Sequence, residues 1–282
     1  MNTSGLSRLL IPLNPLALFA LLWRHRHLIR QITARELTQR YRGSYLGVLW
    51  SFLLPLVMMA VYTFVFSVVF KARWRSDATS EPSMGEFALT LFAGLTAFNV
   101  FSEVVNRAPS LILSVPNYVQ KVVFPLEILP VVAVATALIN SFISAGLVIL
   151  GSLLLLHKVS ATLFLLPLAY LPLICLSLGL CWFLASLGVY VRDVVQITGI
   201  AVQILFFMSP VFYPVSAVPV AVRPILQLNP LTPVLDSFRQ VILWGEPIHW
   251  GPWLAWTLGT FAIAMLGYAW FARTKKGFAD VV

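Results

Sequence analysis

The chain has 282 residues, of which 60% are hydrophobic and only 10% charged, with a formal net charge of +9. A soluble domain carries about 25% charged residues, so this composition cannot clothe a water-facing surface and excludes a soluble enzyme or binding module. The positive balance does not mark a nucleic-acid binder either, because Lys and Arg sit at the ends of apolar runs, where they anchor to headgroups and set topology.

The first residues, to about Ala20, are apolar but broken by Pro12 and Pro15 and lack the small-residue cleavage site of a signal peptide. The chain is therefore expected to keep this segment. Arginines follow at Arg24, Arg26, Arg30, Arg35, Arg40 and Arg42, while Leu21, Leu28, Ile29 and Ile32 share one side of a helical wheel. That pattern predicts an amphipathic helix lying along a membrane surface. A charge cluster that only fixes orientation is the equally open alternative.

Residues 40–55, RYRGSYLGVLWSFLLP, run from cationic and aromatic side chains into an uncharged segment that ends at Phe70. Residues 47–70 form a first predicted span, long enough as a helix to cross a ~30 Å hydrocarbon core. After a polar loop (71–85), a second span is predicted over 87–102, ending at Glu103, Asn106 and Arg107. Within residues 108–130, Pro109 suits a first helical turn and Pro116 a stop, predicting a two-turn helix between crossings. The third span is the uncharged run Ile128–Leu156, closed by His157 and Lys158. Residues 159–191 read as a short lead-in and one helix kinked by Pro167 and Pro172, and Arg192-Asp193 as a tight return. The fifth run, 194–222, is interrupted by Pro210, Pro214 and Pro219. Residues 213–250 are too broken for one crossing and predict two short helices, near 220–228 and 233–244; the last span is 251–272, followed by a basic tail.

The result is an all-α membrane protein of six transmembrane helices: a cytoplasmic segment 1–46, a membrane domain 47–272 and a cytoplasmic tail 273–282. With both ends on one side, about two-thirds of the 19 Lys and Arg residues fall on that side, as the positive-inside rule requires. Cys175 and Cys181 lie six apart in one apolar run, point in different directions and are not expected to bridge.

The motifs that would carry chemistry are missing. There is no G-x-x-x-x-G-K-[ST], no G-x-S-x-G, no HExxH and no Cys/His cluster with metal spacing. Glu86, Glu103 and Glu127 sit at span ends, leaving no midplane carboxylate to couple to an ion gradient. If the chain transports, another chain supplies the energy. Aromatic residues within spans include Trp50, Tyr62, Phe64, Phe66, Phe98, Phe206, Phe207 and Phe212. They can stack on sugar rings, although packing and interfacial anchoring are the ordinary roles.

Four landmarks in order resemble one family, the integral membrane subunits of ABC exporters for O-antigen, capsule and teichoic acid. They are RYRGSYLGVLW at the first span, KVVFPLEILP (121–130) at the third, VRDVVQITGIAVQILFFMSPVFYP (191–214) around the fifth and NPLTPVLDSFRQVI (229–242) before the last. The resemblance covers residues 22–276. It implies a homodimeric pathway through which a lipid-linked polysaccharide, O-antigen first among the candidates, leaves the cytoplasm across a bacterial inner membrane. Two copies of a separate ATPase subunit would hold ATP and Mg, and this chain no cofactor or metal.

On these residues the resemblance implies an interface helix (22–44) leading into the first span, with Arg35, Arg40, Tyr41, Arg42, Tyr45 and Trp50. Arg40 and Arg42 could attract anionic lipid or a pyrophosphate, but snorkelling to ordinary headgroups is simpler. A coupling helix at 109–118 would use Pro109, Ser110, Leu111, Ile112, Leu113, Asn117 and Tyr118, joined by Arg192 and Asp193. Tyr62, Phe66, Phe98, Phe206 and Phe207 are candidates for a glycan path. Residues 213–250 would form re-entrant outer gate helices with Tyr213, Asn229, Pro230, Asp236 and Arg239. Asp236 and Arg239, three apart, share a helix face and are expected to pair as a lock. A drug or lipid exporter of the same architecture, a membrane glycosyltransferase and a non-catalytic scaffold are the rivals.

Overall fold

A computed structural model describes residues 14–41, 47–69, 74, 84–120, 124–157 and 159–281. The described residues are helical and contain no strand. Helix α1 (Pro15–Arg24) starts where Pro15 needs no N–H partner and the Asn14 side chain accepts from Leu16 N at 3.0 Å. It ends at His25, and α2 (Arg26–Tyr41) continues in a new direction. The single amphipathic helix expected over 22–44 is therefore two helices that meet at His25, with 42–44 outside the described residues.

A short 3₁₀ turn, Gly47–Leu49, leads into α3 (Trp50–Thr63), which carries Pro55 internally and widens into a π-helix over Phe64–Val69. No residue of α3 is fully buried. The opposite is true of α4 (Met84–Arg107), in which every residue from 87 to 101 except Asn99 is buried. Helix α4 is the central post of the bundle. It runs on into a 3₁₀ turn, Ala108–Ser110.

The two-turn helix expected over 109–118 is not formed. Turns occupy 111–114, and Pro116 opens the five-residue α5 (Pro116–Gln120) instead of stopping a helix. The reason is that proline at N1 loses only an N–H that has no intrahelical partner there. Helix α6 (Ile128–Gly151) extends as a π-helix over Ser152–Leu156, so its limits are those of the uncharged run. The fourth run divides as expected into a 3₁₀ lead-in, Ala161–Leu165, and α7 (Leu166–Tyr190), with Pro172 inside the helix.

Helix α8 (Val194–Met208) has only 15 residues. Pro210 disfavours helical geometry at Ser209, which is extended at φ −101°, ψ 148°, and the helix ends there. Two short helices follow, α9 (Arg223–Leu228) and α10 (Leu231–Arg239), the latter prolonged by a π-turn over Gln240–Trp244 that ends at Gly245 with φ 68°. Helix α11 (Trp250–Thr274) closes the bundle. The tail is not loose: it forms a 3₁₀ segment, Lys275–Asp280, whose Phe278 is fully buried beside Phe271 and Tyr190. Lys275 pairs with Glu127 at the base of α6.

Among the described residues four helices are long and apolar enough to cross a membrane: Gly85–Ser110, Ile128–Leu156, Ala161–Tyr190 and Trp250–Asp280. Trp50–Phe66 and Val194–Met208 are shorter apolar helices. The chain is a multi-pass membrane protein.

Helices α7 and α11 cross at Gly179 and Gly267. A β-carbon on Gly267 would collide with the Gly179 carbonyl, and one on Gly179 would lie 2.7 Å from backbone atoms of Ile263. Backbone cannot step aside as a flexible side chain does. Gly267→Ala should destabilise the purified protein by about 1–3 kcal/mol, the range for overpacking. Gly259→Ala, on the same helix with open space around it, should leave thermal unfolding in detergent unchanged.

Candidate transport pathway and coupling surface

The 209–240 region is tied down by one side chain. Arg239, at the end of α10, has no exposed surface. Its Nε donates to the Thr90 carbonyl of α4 at 3.1 Å, and Nη2 donates to the carbonyls of Pro210 and Val211 at 2.8 and 3.1 Å. Nη1 donates to Asp236 at 3.2 Å, so the expected pair is present. The guanidinium also lies 4.1 Å from the centroid of the Trp74 ring. Space for it exists because residue 94 is glycine, where any β-carbon would strike Nη2.

The other candidate gate residues serve the same segment. Asn229 donates to Ser209 Oγ at 2.8 Å and accepts from Leu231 N at 2.9 Å, fixing the start of α10 to the end of α8. Pro230 is the half-buried N-cap of α10, and the Tyr213 hydroxyl donates to the Phe207 carbonyl at 2.8 Å.

At the opposite end of α4, two ion pairs join it to α2. Arg107 grips Glu36 through both guanidinium nitrogens, at 2.7 and 2.6 Å, and Arg40 meets Glu103 at 2.6 Å. Thr136 of α6 also donates to Glu36, at 3.3 Å. Arg40 thus meets a protein carboxylate while its side chain stays about half exposed. Glu36 was not among the sequence candidates. The signal was there to find: Glu36 and Arg40 are four apart, as are Glu103 and Arg107, in the same sign order. Arg35 and Trp50 are exposed; Arg42, Tyr45 and the side chain of Tyr41 lie outside the described residues.

The expected coupling segment splits into an inner and an outer set. Pro109, Leu111 and Ile112 are buried, and Gly188 of α7 accommodates the Pro109 carbonyl so closely that no β-carbon would fit. Ser110 and Asn117 are exposed, Leu113 is half-buried, and Tyr118 stacks on Phe124 with centroids 4.4 Å apart. Arg192 and Asp193 are exposed just before α8, against which the Ala108–Ser110 turn packs.

A cavity of about 610 Å³ lies between α3, α4 and α6. Tyr62 and Phe206 line it, as do Asn99, Asn140 and, at one rim, the Arg40–Glu103 pair. The remaining aromatic candidates do other work here. Phe98 is buried and packs on Phe206 at 4.9 Å, Phe66 stacks on Phe212 at 4.6 Å, and Phe207 is exposed on α8. Asn99 and Asn140 were missed because a lone uncharged amide in an apolar run carries no period. Among the described residues no cluster of His, Cys, Asp and Glu could hold a metal.

These features define a polytopic helical membrane protein with an internal cavity and a tethered surface helix. Residues 27–243 match the ABC-2 type transporter family, and the chain belongs to it. It is a membrane subunit of a transporter rather than an enzyme. It is similar to the O-antigen export system permease protein RfbA of Myxococcus xanthus, 31% identical over 222 residues that cover 78% of this chain and 82% of that protein. An RfbA permease of Klebsiella pneumoniae is 22% identical over 253 residues, 89% of this chain and 93% of its own. The polysialic acid transport protein KpsM of Escherichia coli is 25% identical over 224 residues, 77% and 81% of the two chains.

Arg239→Met should cost about 3–5 kcal/mol, as for breaking a buried ion pair, because it leaves Asp236 and three carbonyls without their donor. Arg239→Lys should recover little, since an ammonium cannot reproduce the planar fork. Thermal unfolding of the detergent-solubilised protein reads both. At the other end, Glu36→Arg should lower the melting temperature, and adding Arg107→Glu should restore part of the loss. Equal losses that simply add would mean the pair contributes nothing.

Proposed function

We propose that this chain is the permease subunit of an ATP-driven exporter that moves a lipid-linked polysaccharide, with O-antigen the first candidate, across the bacterial cytoplasmic membrane. The observation that carries this reading is similarity to proteins named as O-antigen export permeases along most of the chain. The absence of a phosphate-binding loop fits it: the energy comes from a separate ATPase subunit, which holds ATP and Mg.

In this reading six helices cross the membrane, the shorter α3 and α8 among them, and both ends of the chain face the cytoplasm. Two copies form the pathway at their seam, each with one ATPase. Helix α2 is the interface helix, clamped to α4 through Glu36–Arg107 and Arg40–Glu103. Ser110, Asn117, Arg192 and Asp193 are the exposed surface on which the ATPase seats. The buried Pro109, Leu111 and Ile112 carry its motion inward to α7 and α8. Helices α9 and α10 form the outer gate, held by Arg239.

Removing the gene should abolish the surface polysaccharide while its lipid-linked precursor accumulates inside. Asn117→Arg combined with Ser110→Arg should reduce recovery of the exporter ATPase with the affinity-purified permease and reduce surface glycan, with membrane insertion intact. An unchanged surface glycan in the deletion strain would defeat the reading.

A further inference from the structure

The cavity behind α3 is lined mostly by apolar side chains, with a few polar groups set among them that lipid cannot satisfy. Along residues 87–101 of α4, Asn99 alone is exposed, and it opens into this cavity. Asn140 of α6 lines it too, and its Oδ1 is enclosed without a hydrogen-bond partner, as is Ser51 Oγ of α3 on the same wall. An enclosed polar atom left unpaired is costly, more so in a hydrocarbon setting, and an acyl chain offers it nothing. The occupant that suits this wall brings hydroxyl groups. The terminal torsion of asparagine is soft, so the Asn140 carboxamide can turn toward a ligand hydroxyl.

We propose that the cavity between α3, α4 and α6 is a binding site for a neutral saccharide unit, held by the amides of Asn99 and Asn140 against the ring of Tyr62. Neutrality follows from the rim, where Arg40 and Glu103, the two charged lining residues among the described residues, already satisfy each other at 2.6 Å. The volume of about 610 Å³ lies within the range of small-molecule sites. Helix α3 forms one wall without burying a single residue, so it can move outward to admit the ligand. That the saccharide belongs to the exported glycan rests on the exporter reading; the site itself does not.

The test is photocrosslinking in the intact cell, with Met58, a lining residue of α3, replaced by p-benzoylphenylalanine. The same replacement at Ile200, exposed on α8, is the control. Cells are fed tritiated galactose and glucose in one arm and tritiated glycerol, which labels phospholipid, in the other. A sugar-labelled adduct is expected at position 58 and not at position 200. Asn99→Leu with Asn140→Leu should cut it by about tenfold, the loss of two hydrogen bonds. The same double variant should melt no lower than wild type, because apolar groups replace amides that lack partners; a purely structural role would lower the melting temperature. A glycerol-labelled adduct alone, or no adduct at all, overturns the proposal, as does a sugar adduct indifferent to both substitutions. If the deletion strain loses its surface glycan while no sugar adduct forms, this inference fails and the exporter reading stands. If the deletion strain keeps its glycan, it is the exporter reading that fails.

Discussion

Removing a guanidinium from water is tolerable only where its donors find acceptors, and Arg239 sets that constraint on this molecule. Its partners are far apart in sequence: Thr90 on α4, Pro210 and Val211 after α8, and Asp236 on its own helix. One side chain therefore fixes where the chain turns back after α8 and how α10 leans on the central post. Gly94 follows from it as a space requirement, and so does the aromatic face of Trp74. The carbonyls around Ser209–Val211 have left helical geometry, and an apolar neighbour could not have satisfied them. The region is irregular and still ordered because its backbone acceptors converge on one fork of donors.

The same reasoning separates rigid from movable parts. Helix α4 is buried along most of its length, whereas α3 is nowhere fully buried and forms, with α4 and α6, the wall of a cavity. Proline at position 55 and a π-helical end loosen the hydrogen-bond ladder of α3 further. Helices α7 and α11, by contrast, approach backbone to backbone at Gly179 and Gly267 and cannot slide without a clash. Helix α3 is thus held less tightly than the α7–α11 pair.

Much of the architecture was legible in the chain itself. The run from Ile128 to Leu156 became a helix with those limits because nothing charged interrupts it and Glu127 and His157 bound it. The break at Ser209-Pro210 and the short helices after it followed from proline chemistry. Pro116 misled for a physical reason, since the same ring that ends one helix is suited to begin the next, and the choice depends on how 111–114 pack. Leu111 and Ile112, expected in the coupling helix, are buried against neighbours no local pattern reveals. The reach of Arg239 to Thr90, 149 positions away, and of Arg107 to Glu36, 71 away, was equally invisible. Sequence shows that a charge must find a partner, and three dimensions decide which.

Those two long-range contacts also define what α4 can transmit. Thr90 and Gly94 meet Arg239 near one end, and Glu103 and Arg107 hold α2 at the other, about 20 Å away at the rise of an α-helix. Helix α4 is a buried helix held by a guanidinium on a backbone carbonyl near one end and by two ion pairs at the other. A displacement of α2 therefore reaches Pro210 and Val211 without bending any intervening element. Helix α3 has no comparable ionic hold on α4 among the described residues, so the cavity between them is where the displacement can be absorbed. The 209–240 region, the cavity and α2 thus all contact α4. Asn99 of the cavity lies on that helix and Asn140 on α6, which contacts Glu36 through Thr136.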